Sequence, residues 1–178
     1  SQDTACEIEK MTALAEFASS RWKDEPETDE AWLAVVRTTV ASDRLDQAVE
    51  YLERISPDSP QRAAAEMSLG MAFWGTYGRA VRDEENRPPQ EELDRWVAQS
   101  RELFEKGIGR LRTAVEKGSA VEYSLVNSVR FLANILTDTG HPKEAVVWLE
   151  DAKIGPLTLI QAGSSVTDQE SFQVDTYI

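Results

Sequence analysis

The sequence predicts an all-α protein built from helical hairpins. Apolar residues recur at helical spacing in long segments, short polar or proline-containing turns separate these segments, and no segment alternates strictly enough to be a strand. The clearest example lies at residues 29–60, where apolar-periodic segments at 32–41 and 45–55 flank the polar turn at 42–44. A hairpin of this size cannot bury its apolar face alone, so the pattern predicts neighbouring hairpins.

Prolines and capping residues set the predicted borders of the first helices. Pro26 is expected to stop the first helix, and Thr28 or Asp29 to cap the second. Ser59 and Pro60 fit the N-cap and first position of the fourth helix. Outside the hairpin, the predicted helices cover residues 4–22, 60–80, 91–117, 119–139, 143–153 and 157–162, and a loop at 163–168 precedes the start of a further helix in the last ten residues.

The fourth helix and the loop after it carry the strongest local signals. Each glycine inside a helix costs about 1 kcal/mol relative to alanine. We therefore expect close helix packing at Gly70 and a weakened helix end near Gly78. Residues 82–92 are the most polar and proline-rich segment, which predicts a long exposed loop.

Composition narrows the classes of function. The chain has 178 residues, 29% of them charged, and a formal net charge of −13. This acidity argues against nucleic acids and anionic membranes as partners, because both attract Lys and Arg. No apolar run reaches the ~20 residues of a membrane span. The composition does not determine the cellular compartment. We expect a soluble fragment of a longer chain or a trimmed mature form, because both ends lie within predicted helical patterns.

The hairpins repeat with a period of about 34 residues. Tetratricopeptide (TPR) repeats have this length and the pattern W-x2-L-G-x2-Y, A-x3-F, P. In the first hairpin, the residues at the corresponding positions are Trp32, Val35, Val36, Thr39, Ala48, Leu52 and Pro60. In the third hairpin, they are Val129, Leu132, Ala133, Leu136, Ala145 and Leu149. In the middle hairpin, Leu69-Gly70 and Phe73 match the first helix, and an insertion of about 25 residues displaces the second.

The chain therefore resembles the TPR family over most of residues 29–159. The resemblance implies a right-handed α-α superhelix, a solenoid of about three hairpins with partial repeats at both ends. The implied single domain, residues 1–178, consists of a half repeat at 1–28, a repeat at 29–62, an expanded repeat at 63–125 with its loop at 82–92, a repeat at 126–159 and the start of another at 160–178. Trp32, Ala48 and Leu52 should be buried between helices.

The sequence offers little for catalysis, metals or cofactors. One histidine, His141, and one cysteine, Cys6, exclude the common His/Cys zinc sites, and the turn at His141 favours an exposed side chain over a catalytic base. The many carboxylates favour a solvated surface over catalysis or calcium binding. We predict no catalytic residues, no metal and no cofactor.

The TPR resemblance implies a concave groove lined by the first helix of each hairpin. Carried onto this chain, the groove residues are Leu33, Arg37, Met67, Met71, Trp74, Asn127, Arg130 and Asn134. Core burial is the favoured interpretation of Trp74, and a merely solvated face is the favoured interpretation of the polar set at 127–134. Arg130 and Asn134 resemble half of the carboxylate clamp of chaperone-binding members, whereas Ala34, Ser68 and Phe131 depart from it.

Three functions remain as hypotheses. The first is a non-enzymatic scaffold that holds a protein, a peptide or a partner helix in the groove. The alternative is a structural self-assembly module without a peptide ligand, in which the expanded middle hairpin contacts either further repeats or a second copy in a homo-oligomer. An enzyme is the third hypothesis, and no residue pattern favours it. We expect no nucleic-acid partner and no membrane insertion.

Overall fold

The computed structural model describes residues 2–22 and 25–161. All regular structure in this part of the chain is α-helical, which confirms the predicted all-α class. The helices, in chain order, are α1 (Gln2–Arg21), α2 (Pro26–Ala41), α3 (Leu45–Leu52), α4 (Arg62–Arg82), α5 (Gln90–Glu116), α6 (Tyr123–Asp138), α7 (Pro142–Leu149) and α8 (Pro156–Gln161). The predicted loop at 163–168 and the helix predicted after it lie outside the described residues.

Several predicted helix borders are wrong by a few residues. Pro26 begins α2 instead of only ending α1, and the N-cap is Glu25. Thr28 is buried inside α2, where its hydroxyl donates to the Trp22 carbonyl at 2.6 Å. α4 begins at Arg62 after an N-cap at Gln61, so Ser59 and Pro60 belong to the preceding turn. α3 and α7 are each eight residues long and end before the predicted residues 55 and 153.

Trp32 joins the first three helices. Its side chain is 3% exposed, its ring nitrogen donates to the Ser19 hydroxyl on α1 at 2.8 Å, and its ring stacks on Tyr51 of α3 with centroids 5.8 Å apart. Ala48 and Leu52 are also buried, at 0% and 1% exposure. The predicted burial of these residues is therefore confirmed.

A buried arginine connects the end of α3 to the start of α4. Arg62 is 4% exposed, and its guanidinium donates to the carbonyls of Leu52 and Ile55. It also donates to the carboxylates of Glu66 at 2.8 Å and Glu53 at 2.9 Å. The last carbonyls of a helix have no partner within the helix. Arg62 adds a partner for the Leu52 carbonyl, which also accepts the Ile55 backbone N–H at 3.1 Å, and so ties the end of α3 to the start of α4.

α4 packs closely on α5 at Gly70. A Cβ atom at this position would lie 3.0 Å from the Phe104 ring and 3.1 Å from the Ser100 carbonyl. The buried Ser100 hydroxyl donates to the Gly70 carbonyl at 2.7 Å. The predicted close packing is thus confirmed. α4 continues four residues past Gly78, to Arg82, and the weakened end predicted near Gly78 stays a prediction. Residues 83–89 form the predicted loop, and most of their side chains are exposed.

The chain divides into two compact units, Ser1–Gly107 and Ile108–Ile178, with the border inside α5. In the first unit, α2 contacts α1, α3 and α4. In the second, α6 contacts α7 and α8, and α8 also contacts α7. The division of the chain into repeats stays a prediction.

Candidate functional site

A largely apolar cleft lies between α2 and α4 in the first unit. Its volume is about 290 Å³, at the lower end of the range of small-molecule pockets. The α2 side is formed by Leu33, Val36, Arg37, Val40 and Ala41, and the α4 side by Ala64, Ala65, Ser68 and Leu69. The small residues Ala64 and Ser68 are one helical turn apart and both exposed. Small side chains on this wall leave room for a ligand to approach the α4 backbone.

Arg37 is the one charged residue among the described residues that line the cleft. Its side chain is exposed, and it forms no ion pair with another residue in the described ranges. A free guanidinium beside an apolar surface suits a ligand that presents a carboxylate next to an apolar group, because guanidinium and carboxylate can form two parallel hydrogen bonds.

The structure places the predicted groove residues of the first unit in different surroundings. Leu33 and Arg37 line the cleft. Met67 does not, because it is buried against Gly107 of α5, where a Cβ atom would lie 2.7 Å from the Met67 side chain. Met71 is 37% exposed on α4 outside the cleft. Trp74 is half-buried, and its ring stacks on Tyr77 with centroids 4.9 Å apart.

The remaining predicted groove residues lie in the second unit. Asn127, Arg130 and Asn134 all lie on α6 and are all half-buried. Their spacing of three and four residues places them on one side of the helix. The Asn127 side-chain oxygen is buried without a hydrogen-bond partner among the described residues. The core side of α6 carries a different set of residues, including Leu125, Val129, Leu132 and Leu136.

Seven of the nine lining residues were absent from the sequence-based groove set: Val36, Val40, Ala41, Ala64, Ala65, Ser68 and Leu69. Ala64 and Ser68 lie four residues apart on α4, so the sequence places them on one side of the helix. Helical spacing does not show that this side faces the cleft. The groove set instead followed the apolar Met67, which α5 buries.

A second cleft of about 310 Å³ lies between the start of α2 and the turn before α4. Its lining includes Glu25, Asp29, Asp58 and Gln61. Asp29 has a structural role here, because its carboxylate accepts the backbone N–H of Ser56 at 2.8 Å. In the described residues, no group of three or more His, Cys, Asp or Glu side chains is arranged to hold a metal ion.

No known protein family, curated protein or solved structure matches this chain. The helices within residues 2–22 and 25–161 are all too short or too polar to cross a membrane. Cys6 lies on α1 and His141 lies in the turn between α6 and α7, and both side chains are exposed.

Proposed function

We propose that this chain is a non-enzymatic, TPR-like protein-binding module that holds a peptide or a partner helix in the cleft between α2 and α4. The observation that carries the proposal is the cleft itself, whose floor is apolar and whose one charged lining residue, Arg37, has no ion-pair partner among the described residues. The right-handed superhelix and the TPR family membership are part of this proposal.

The repeated hairpin geometry supports the proposed family. α2 and α6 have 16 residues each, and α3 and α7 have eight each. A three-residue turn joins each pair, at 42–44 and 139–141. Repeat proteins are built from such equivalent units and bind ligands on the surface formed by their first helices. α2 and α4 are the first helices of two successive predicted repeats.

The lining predicts the chemistry of the ligand. Leu33, Val36 and Leu69 favour an apolar side chain, and Arg37 favours an acidic side chain next to it. The exposed alanine and serine of α4 favour a ligand backbone that comes close to that helix. We therefore expect a short segment that combines apolar and acidic residues.

A peptide library tests the proposal without a known partner. Phage displaying random 12-residue peptides would be selected in parallel on the wild-type chain and on Ala64→Trp, which fills the cleft with an indole. Ala98→Trp is the matched control, because Ala98 is an exposed helical alanine on α5 outside the cleft. Circular dichroism of all three proteins would verify equal helix content.

We expect the wild type and Ala98→Trp to enrich the same apolar and acidic peptides, and Ala64→Trp to lose them. For one synthetic enriched peptide, Arg37→Glu should weaken binding about tenfold or more in fluorescence anisotropy, because two like charges then face each other. Equal enrichment on Ala64→Trp, or no enrichment on the wild type, would overturn the proposal.

A further inference from the structure

α1 exposes large apolar side chains on the side that faces away from α2. Leu14 is 66% exposed, Phe17 53%, and Trp22, directly after the helix, 50%. The rings of Phe17 and Trp22 meet edge to face with centroids 6.0 Å apart. On the opposite side of α1, Ala15 belongs to the core that includes Trp32. Contiguous apolar patches on a protein surface usually mark an interaction site.

Charged residues frame this patch in a definite order. Glu7, Lys10, Leu14, Phe17 and Arg21 follow each other at spacings of three and four residues and are all exposed. This spacing places them in one stripe along the helix. Within the described ranges, none of the three charged residues forms an ion pair.

The stripe is complementary to itself when its direction is reversed. An antiparallel second copy of α1, centred at Leu14, sets Glu7 opposite the partner's Arg21 and Leu14 opposite the partner's Leu14. It also brings Lys10 to within one residue of the position opposite the partner's Phe17, where an ammonium over an aromatic ring is attractive. In a two-fold symmetric contact every such pair occurs twice. A parallel arrangement would instead set each charge opposite its own copy.

We propose that α1 is a self-association face, and that its occupant is α1 of a second copy of this chain in antiparallel orientation. The order of the charges along the stripe favours a second copy of α1 in antiparallel orientation. The exposed apolar side chains form the buried centre of this helix–helix contact. One helix pair forms a small interface, so the dimer should dissociate on dilution. This face differs from the α2–α4 cleft and from the loop at 83–89, and the inference does not depend on the proposed function.

Sedimentation velocity of the full chain over a range of concentrations tests the inference. We expect a dimer that dissociates on dilution for the wild type. Glu7→Arg and Arg21→Glu should each weaken it about tenfold or more, because each places two pairs of like charges in contact. Ile160→Ala is the control for a merely sticky surface, since Ile160 is 47% exposed but lies on α8. It should leave the dimer unchanged.

The two charge variants also rescue each other. An equimolar mixture of Glu7→Arg and Arg21→Glu should form a heterodimer, because every opposing pair is then of opposite sign. The double variant Glu7→Arg/Arg21→Glu should dimerise alone. A wild type that stays monomeric at all concentrations would overturn the inference, as would single variants that dimerise like the wild type or a mixture that stays monomeric. Circular dichroism establishes that each variant is folded.

A short bis-maleimide reports the orientation. In a Cys6→Ser background, Leu14→Cys should cross-link to itself. Arg21→Cys should cross-link only when mixed with Glu7→Cys, because residues 7 and 21 lie at opposite ends of the stripe. Efficient self-cross-linking of Arg21→Cys would indicate a parallel pair and would overturn the proposed arrangement.

Discussion

The hairpins α2–α3 and α6–α7 have the same backbone design in two different surroundings. Both first helices begin after an extended glutamate, Glu25 or Glu122, and the C-cap residue that follows each helix carries a hydroxyl, Ser42 or Thr139. That hydroxyl donates to the carbonyl four residues earlier in each case, at 2.8 Å and 2.7 Å. The next residue has a positive φ in both turns, 59° at Asp43 and 83° at Gly140.

The second helices differ in burial. α3 buries Leu45, Ala48 and Leu52, whereas Ala145 is the one buried residue of α7. Leu149, which corresponds to Leu52, is half-buried. Val147 of α7 is 71% exposed. α3 contacts α4 as well as α2, and Arg62 closes its end. The comparison shows that local sequence forms the hairpin and that the neighbouring helix determines how much of it is buried.

The largest effect is expected at the buried arginine that distinguishes α3 from α7. Arg62→Ala should lower the free energy of unfolding by about 3–5 kcal/mol, because it removes a buried ion pair with the Glu66 carboxylate and the hydrogen bonds to the Leu52 and Ile55 carbonyls. Urea denaturation followed by circular dichroism would measure the change.

Arg79→Ala is the matched control, since the Arg79–Asp43 pair is 66% and 70% exposed. Exposed pairs contribute about 0–1 kcal/mol, so this variant should lose at most that much. Equal losses for the two arginines would show that burial does not determine the strength of the α3–α4 junction.

The next effect compares the equivalent leucines of α3 and α7. Leu52→Ala should cost about 2–5 kcal/mol, because Leu52 is 1% exposed and its removal leaves a cavity. Leu149→Ala should cost about half as much, because less of this side chain is withdrawn from water. Urea denaturation measures the loss of unfolding free energy in both variants. A larger loss for Leu149→Ala than for Leu52→Ala would contradict the difference in burial between α3 and α7.

The smallest effect concerns the turns that the hairpins share. Gly140→Ala should lower the free energy of unfolding by about 1–2 kcal/mol, because an L-residue with a side chain is strained at a φ of 83°. Gly78→Ala is the control, since no atom lies within 4 Å of the added Cβ and the position is helical. It should raise stability by about 1 kcal/mol. Thermal unfolding of both variants would separate the two effects by sign.

Part of the cleft could be predicted from the sequence. Leu33 and Arg37 came from the TPR resemblance, which carries groove positions onto the first helix of each hairpin, and both line the cleft. The α4 wall could not be placed in the same way. Helix α4 is long and apolar on several sides, so its period alone does not show that Met67 faces α5 while Ala64 and Ser68 face the cleft.

The sequence by itself determined the all-α class, the position of the hairpins and the burial of Trp32, Ala48 and Leu52, because helical periodicity and turn residues act over short distances along the chain. The tertiary structure alone decided that a buried side chain binds the end of α3, since the Leu52 carbonyl accepts from Arg62, which lies ten residues further along the chain. It also decided which side of α4 faces the cleft and which side chains of α1 stay exposed. Those outcomes depend on contacts between helices that are distant in sequence, and helical spacing carries no information about them.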